Sequence, residues 1–168
     1  MAGVTCYYAV MATFTPARTP LLAFLAGEGR DGAGRTLEEV LAFDDLAIER
    51  HHDFIQWLFP LPEPSGANPT APVLSAAVRA DPRLQAAVER ALRRMSSFYA
   101  ATAHWLVAHD HNHLRITRII RSSGLLLGRE PATRFHRLAL ARNASAASPV
   151  SETSLRFWRS ALDDLPSG

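Results

Sequence analysis

Two stretches of the sequence concentrate the side chains that could take part in chemistry. The first stretch, residues 51–59, reads HHDFIQWLF and combines two histidines, a carboxylate and an amide with three aromatic rings. If it is helical, its apolar members form a stripe that faces a core, and only its polar members need another explanation. Either these polar groups are satisfied within the fold, or they bind a ligand. The candidate ligand-binding residues of this stretch are His52, Asp53, Gln56 and Trp57.

The second stretch, residues 109–122, reads HDHNHLRITRIIRS. A helix that begins at His111 aligns one histidine, two arginines and one serine beside an isoleucine face. Guanidinium groups present a planar fork that suits a carboxylate. The polar ridge is therefore either an anion or peptide-carboxylate clamp, or a set of solvated arginines and arginines paired with carboxylates of the fold. The candidate residues of this stretch are His111, Asn112, Arg115 and Arg118.

Both stretches contain a His-Asp pair, which raises the alternative of a metal-dependent helical hydrolase. Its ligands would come from His52, Asp53, His109 or His111, since imidazole and carboxylate together suit several divalent ions. Adjacent residues on a helix point about 100° apart, however, and no third carboxylate stands at ligand spacing. We therefore expect no metal and no cofactor. No nucleophile motif is present either, so we expect that the protein is not an enzyme.

A second alternative is an interaction module for nucleic acid or protein that uses arginine side chains. All 18 basic residues are arginine, but the net charge is only +2, too small for strong attraction to a polyanion. Acidic residues are interspersed, which also disfavours nucleic acid. The absence of lysine indicates a GC-rich genome and hence a bacterial source. The arginines that such a module would use are Arg90, Arg93, Arg94, Arg115, Arg118 and Arg121.

Cysteine content and apolar runs predict the cellular setting. Cys6 is the only cysteine, so the chain forms no internal disulfide, as is usual inside cells. The apolar run 21–26 is far shorter than the ~20 residues that cross a bilayer. The run 4–14 lacks the basic residues that precede a signal peptide. We expect a soluble cytoplasmic protein without a transmembrane segment and predict no oligomeric state.

The remaining pattern predicts an all-α fold of about five to seven helices with a proline-rich connector over residues 60–72. Thr36 and Glu39 form a capping box, and Asp81-Pro82 is a typical helix start. Gly124 is predicted to end the helix that follows residue 110. The predicted helices cover residues 37–43, 46–59, 82 towards 105, 111–123, 131–142 and 151–162. The predicted divisions are an N-terminal segment (1–19), a helical domain (20–145) and a C-terminal helix within 146–168 that packs on that domain.

The two stretches also resemble a known family. HDFIQWLFP at 52–60 and HNHLRITRI at 111–119 resemble the conserved N-terminal region of the opioid growth factor receptor family. The Asn-Pro and Ala-Pro pattern over 68–74 and the Phe98–Tyr99 pair are similar as well. The resemblance covers about residues 20–140 and is strongest to short, stand-alone members found in bacteria.

This resemblance implies a helical domain and a receptor-like binding role. In animals the family is associated with binding an enkephalin peptide that restrains cell growth, at the nucleus and at membranes. The resemblance supplies no catalytic residues. We hypothesise that the segment with Gln56 and Trp57 packs beside the helix that begins at His111, with Trp57 in apolar contact with a peptide or small anionic ligand. Arg115 and Arg118 would receive the anionic group. The positions that define the family are expected to include His52, Gln56, Trp57, His111, Asn112, Arg115 and Arg118.

Overall fold

The computed structural model describes residues 19–66, 68–76, 79 and 81–166. This part of the chain contains eight helices and no strand, which confirms the all-α class and exceeds the predicted helix number by one. Residues 1–18 of the predicted N-terminal segment, Cys6 among them, lie outside the described residues. The helices are α1 (Pro20–Leu25), α2 (Leu37–Leu41), α3 (Asp45–Arg50), α4 (Ile55–Leu58), α5 (Pro82–Ala101), α6 (His111–Leu127), α7 (Arg129–Ser145) and α8 (Glu152–Asp163).

The predicted helix starts are confirmed where a side chain caps the first turn. Thr36 accepts a hydrogen bond from the Glu39 amide, and the Glu39 carboxylate accepts one from the Thr36 amide at 2.6 Å. Asp81 caps α5, in which proline occupies the first turn. Ser151 caps α8 in the same way. Short-range hydrogen bonds determine these starts, which is why sequence patterns identify them.

The predicted single helix over 46–59 is wrong. α3 ends at Arg50, His51 adopts an extended backbone with φ −95° and ψ 133°, and α4 begins only at Ile55. In a continuous helix the carbonyls of Ile48 and His51 would accept from amides four residues further on. Here both carbonyls accept hydrogen bonds from the side chain of Arg115 instead. The predicted alignment of side chains across residues 51–58 therefore does not exist.

The predicted helix end at Gly124 is also wrong. α6 continues to Leu127 and ends at Gly128, whose φ of +95° suits a glycine. Gly124 lies within the helix, where a Cβ atom would stand 2.2 Å from a methyl carbon of Leu165. Glycine at this position serves close packing rather than helix termination. Pro131 similarly lies within the first turn of α7, which starts two residues earlier than predicted.

All eight described helices contribute to one hydrophobic cluster. α6 is central and packs against α5, α7 and α8. The helices α1, α2 and α4 pack on α5, and α1 also packs on α4. Trp105 and Trp158 are fully buried, and each indole N–H donates to a backbone carbonyl. None of the helices that the structure describes has both the length and the apolar character needed to cross a membrane.

The loop between α1 and α2 contains one tightly packed glycine, which provides a test of the fold. A Cβ atom at Gly29 would lie 2.7 Å from Ala23 Cβ and 3.0 Å from the backbone of Phe24. We expect Gly29→Ala to lower the free energy of unfolding by about 1–3 kcal/mol through overpacking. Gly66→Ala is the matched control, since no contact within 4 Å of its Cβ position is found among the described residues. Urea unfolding measures the free energy of unfolding of both variants. Equal values would contradict the close packing at Gly29.

Candidate functional site

A groove of about 360 Å³ lies between α6 and the segment that contains α4 and the start of the proline-rich connector. We call it the α4–α6 groove. Both sequence stretches that carry candidate ligand-binding residues contribute to it. Its lining residues are His52, Ile55, Gln56, Leu61, Ser65, His111, Leu114, Arg115, Thr117, Arg118 and Arg121.

Three of the sequence-predicted site residues lie elsewhere. Asp53 forms an ion pair with Arg35, at 2.9 Å. Trp57 packs edge-on against Phe24, with 5.5 Å between ring centroids, and is not among the residues that line the groove. Asn112 is fully buried beneath the groove. The remaining candidates, namely His52, Gln56, His111, Arg115 and Arg118, line the groove together.

Arg115 links α6 to the end of α3 through hydrogen bonds. Its side chain is only 5% exposed, and it donates to the carbonyls of His51 at 2.7 Å and Ile48 at 3.1 Å. It also donates to the side-chain oxygen of Asn112 at 3.3 Å. Burial lowers the pKa of Arg115, while Tyr99 and nearby carboxylates oppose that shift. Most of its hydrogen-bonding capacity is therefore used inside the fold.

A polar network beneath the groove balances this buried charge. The Glu49 carboxylate lies 3.9 Å from Arg115 and accepts from Asn112 at 3.1 Å, while His104 Nε2 stands 2.9 Å from it. Tyr99 donates to the Asn112 oxygen at 3.1 Å, and burial raises the pKa of its hydroxyl well above the ordinary value. Glu49 and His104 were not identified from the sequence, because no local spacing distinguishes them. Only the packing of α3, α5 and α6 brings them together.

The residues named for the metal-dependent alternative do not form a ligand set, although the rings of His52 and His111 lie 4.8 Å apart. His52 Nδ1 lies against Arg115, and Asp53 pairs with Arg35. Across residues 19–66, 68–76, 79 and 81–166, no three histidine, cysteine, aspartate or glutamate side chains are arranged to hold a metal ion.

Several arginines named for the nucleic-acid alternative bind the protein itself. Arg90 donates to both carboxylate oxygens of Glu38 at 2.6 Å. Arg94 donates to the Phe43 carbonyl and to Asp45, each at 2.8 Å. These contacts hold α5 against the segment around α2 and α3, so they have a structural role.

Two polar side chains of the groove keep hydrogen-bonding capacity that the fold does not use. Gln56 is 7% exposed, and its Oε1 atom has no hydrogen-bond partner among the described residues. Buried polar atoms almost always have a partner, so an unpaired amide on a groove wall indicates a place for one. Arg118, which is partly buried, donates to the Phe59 carbonyl at 3.1 Å, its one hydrogen bond to the described residues. Burial and neighbouring Arg121 lower the pKa of Arg118.

Apolar side chains complete the groove. Ile55 and Leu61 lie on the connector side, and Leu114 on α6 is 71% exposed. A concave surface with apolar walls and a small number of convergent polar groups is typical of small-molecule and peptide sites. The arrangement suits a ligand with an apolar part, a carboxylate that accepts from Arg118 and an N–H group that donates to the Gln56 oxygen.

Comparison with known proteins relates the chain to opioid growth factor receptors. It is 35% identical over 101 residues to the opioid growth factor receptor of Mus musculus, an alignment that covers 47% of this chain and 16% of the mouse protein. The receptor of Rattus norvegicus matches with the same identity and covers 17% of that protein. The matched part is thus about a sixth of each curated relative. No protein-family model and no solved structure matches the chain.

The anchoring role of Arg115 predicts a large loss of stability on a conservative change. Lysine has no fork with which to reach both carbonyls, so Arg115→Lys leaves a buried acceptor unpaired. We expect the free energy of unfolding to fall by about 2–4 kcal/mol. Arg121→Gln, which removes the half-exposed pair with Glu63, is the control and should cost less than about 1 kcal/mol. Urea unfolding measures both variants, and equal losses of unfolding free energy would show that Arg115 does not anchor α6 to α3.

Proposed function

We propose that the chain is a binding module, not an enzyme, whose α4–α6 groove takes a short peptide or small ligand with a carboxylate. The observation that carries this proposal is Gln56, a nine-tenths buried amide that lines the groove with an unpaired oxygen. An unpaired buried polar group costs about 1–3 kcal/mol, which a ligand can recover. The oxygen accepts, so an N–H group of the ligand's peptide backbone is its partner; the amide binds a carboxylate only through its NH2 group, after it turns over.

In this proposal the anionic group of the ligand binds Arg118. The sequence hypothesis assigned that role to Arg115 and Arg118 together, but Arg115 donates to carbonyls of the fold. Arg118 makes a single hydrogen bond to the described residues and keeps further N–H groups for a carboxylate. The apolar contact with the ligand, which the sequence hypothesis assigned to Trp57, is made in this proposal by Leu114, which is exposed on the groove wall.

The relatives support the class of function rather than the ligand. Their name describes receptors for an opioid growth factor, and the matched part is about a sixth of their length. We extend only ligand binding to this chain. The bacterial source, the stand-alone character and the cytoplasmic location stay predictions. The groove volume, about 360 Å³, lies at the small end of ligand sites and suits a terminal residue or two rather than a long peptide.

The carboxylate requirement is testable with one peptide in two forms. The probes are the pentapeptide Tyr-Gly-Gly-Phe-Met with a free C-terminus and the same peptide with a C-terminal amide. A hydrogen bond to a charged group contributes about 1.5–3 kcal/mol, so the free acid should bind at least about tenfold more tightly. Isothermal titration calorimetry measures both affinities. Absence of binding by either form, or equal affinities, would overturn the proposal.

Gln56→Leu separates a ligand-binding amide from a structural one. We expect unchanged stability, or a gain of up to about 1 kcal/mol, because an unpaired buried oxygen is removed. Affinity for the free-acid pentapeptide should fall at least fivefold. Gln85→Leu on α5, outside the groove lining, is the matched control and should leave affinity unchanged. A loss of 1–3 kcal/mol in unfolding free energy with unchanged affinity would identify Gln56 as structural.

A further inference from the structure

His52 has one ring nitrogen committed to the fold. Its Nδ1 atom lies 2.7 Å from a terminal nitrogen of Arg115. A guanidinium group can only donate hydrogen bonds, so Nδ1 must accept and cannot carry a proton. A neutral imidazole with an unprotonated Nδ1 carries its proton on Nε2. The contact with Arg115 therefore selects one tautomer of His52.

We propose that Arg115 is a positioning residue that holds His52 as the Nε2–H tautomer, so that His52 donates a hydrogen bond to the ligand's oxygen in the α4–α6 groove. This inference rests on the proposed function and adds a specificity-determining donor to it. A donor at His52, in the groove that Arg118 also lines, favours ligands rich in acceptor oxygens, such as carboxylates, over amines.

The position of His52 supports a donor role. The residue is exposed on the groove lining, and its Nε2 atom has no hydrogen-bond partner within the described part of the chain. Its ring stands edge-on to that of His111, with 4.8 Å between centroids. Arg115 is itself held by the carbonyls of Ile48 and His51. The ring is thus oriented by groups that the fold fixes before any ligand arrives.

The charges around His52 favour its neutral form. Burial, Arg115 and His111 lower the pKa of His52, while Glu49 on α3 and the adjacent Asp53 oppose the shift. Protonation of Nδ1 would remove the acceptor of Arg115 and place two cations in contact. Since folding lowers this pKa, the stabilising contribution is complete above the ordinary histidine value of about 6.5 and is lost as the pH falls.

The tautomer is tested on the free protein, independently of any ligand. In protein labelled with ¹⁵N-histidine, long-range proton–nitrogen spectra distinguish a protonated from an unprotonated ring nitrogen. At pH 7.5 we expect His52 to show an unprotonated Nδ1 and a protonated Nε2, with the assignment made by loss of its signals in His52→Asn. An Nδ1–H tautomer, or an equal mixture of the two, would overturn the positioning role of Arg115.

The donor role is tested with the same free-acid pentapeptide. In His52→Asn the amide oxygen can still accept from Arg115, but no donor stands at the place of Nε2. We expect affinity at pH 7.5 to fall about five- to tenfold. Urea unfolding checks that the variant is folded. His136→Asn on α7, outside the groove lining, is the matched control and should keep wild-type affinity.

The outcomes separate the two proposals. If the wild-type protein binds the peptide and His52→Asn binds it equally well, the donor role is overturned while the proposed function stands. If the wild-type protein does not bind, the proposed function fails and the donor role fails with it. The tautomer spectrum still decides, in that case, whether Arg115 positions His52.

Discussion

The buried guanidinium of Arg115 is the contact on which the groove depends. Its hydrogen bonds to the carbonyls of Ile48 and His51 take the place of the helical hydrogen bonds that these carbonyls would otherwise accept. They lie where the helical conformation is interrupted between α3 and α4. The segment that follows, with the short α4 helix and the start of the connector, forms the wall of the groove opposite α6. Arg115 itself lines the groove and holds the residues at the start of that segment.

A charge placed this deep needs compensation, and the fold supplies it with groups from three helices. Glu49 on α3, Tyr99 on α5 and Asn112 on α6 form a connected hydrogen-bond network beside Arg115. A network in which each member has a partner stabilises one arrangement, because any displacement leaves a polar group unpaired in a medium of low polarity. This rigidity is useful at a binding site, since a preformed groove loses little conformational entropy when it binds a ligand.

Local hydrogen bonds explain which elements could be predicted. The capping box of Thr36 and Glu39 and the start of α5 at Asp81 involve residues only two or three positions apart, so the pattern alone identifies them. Gly124 misled the prediction because its role depends on Leu165, about forty residues away in the chain. The helix over 46–59 was mispredicted for the same reason, since the carbonyls of Ile48 and His51 at its break accept hydrogen bonds from Arg115, far away in the chain.

By itself, the sequence determined the helical class, most helix starts and the two stretches whose side chains meet at the groove. Periodicity and capping are short-range properties, which is why they can be read without a fold. Only the tertiary structure decided which candidates face the groove. Asp53 pairs with Arg35, Trp57 packs on Phe24, and Asn112 is buried. Arg115 is bonded to backbone carbonyls of the fold, whereas Gln56 and Arg118 keep unused hydrogen-bonding groups. Those roles depend on partners distant in the chain, and the packing of the helices brings the partners together.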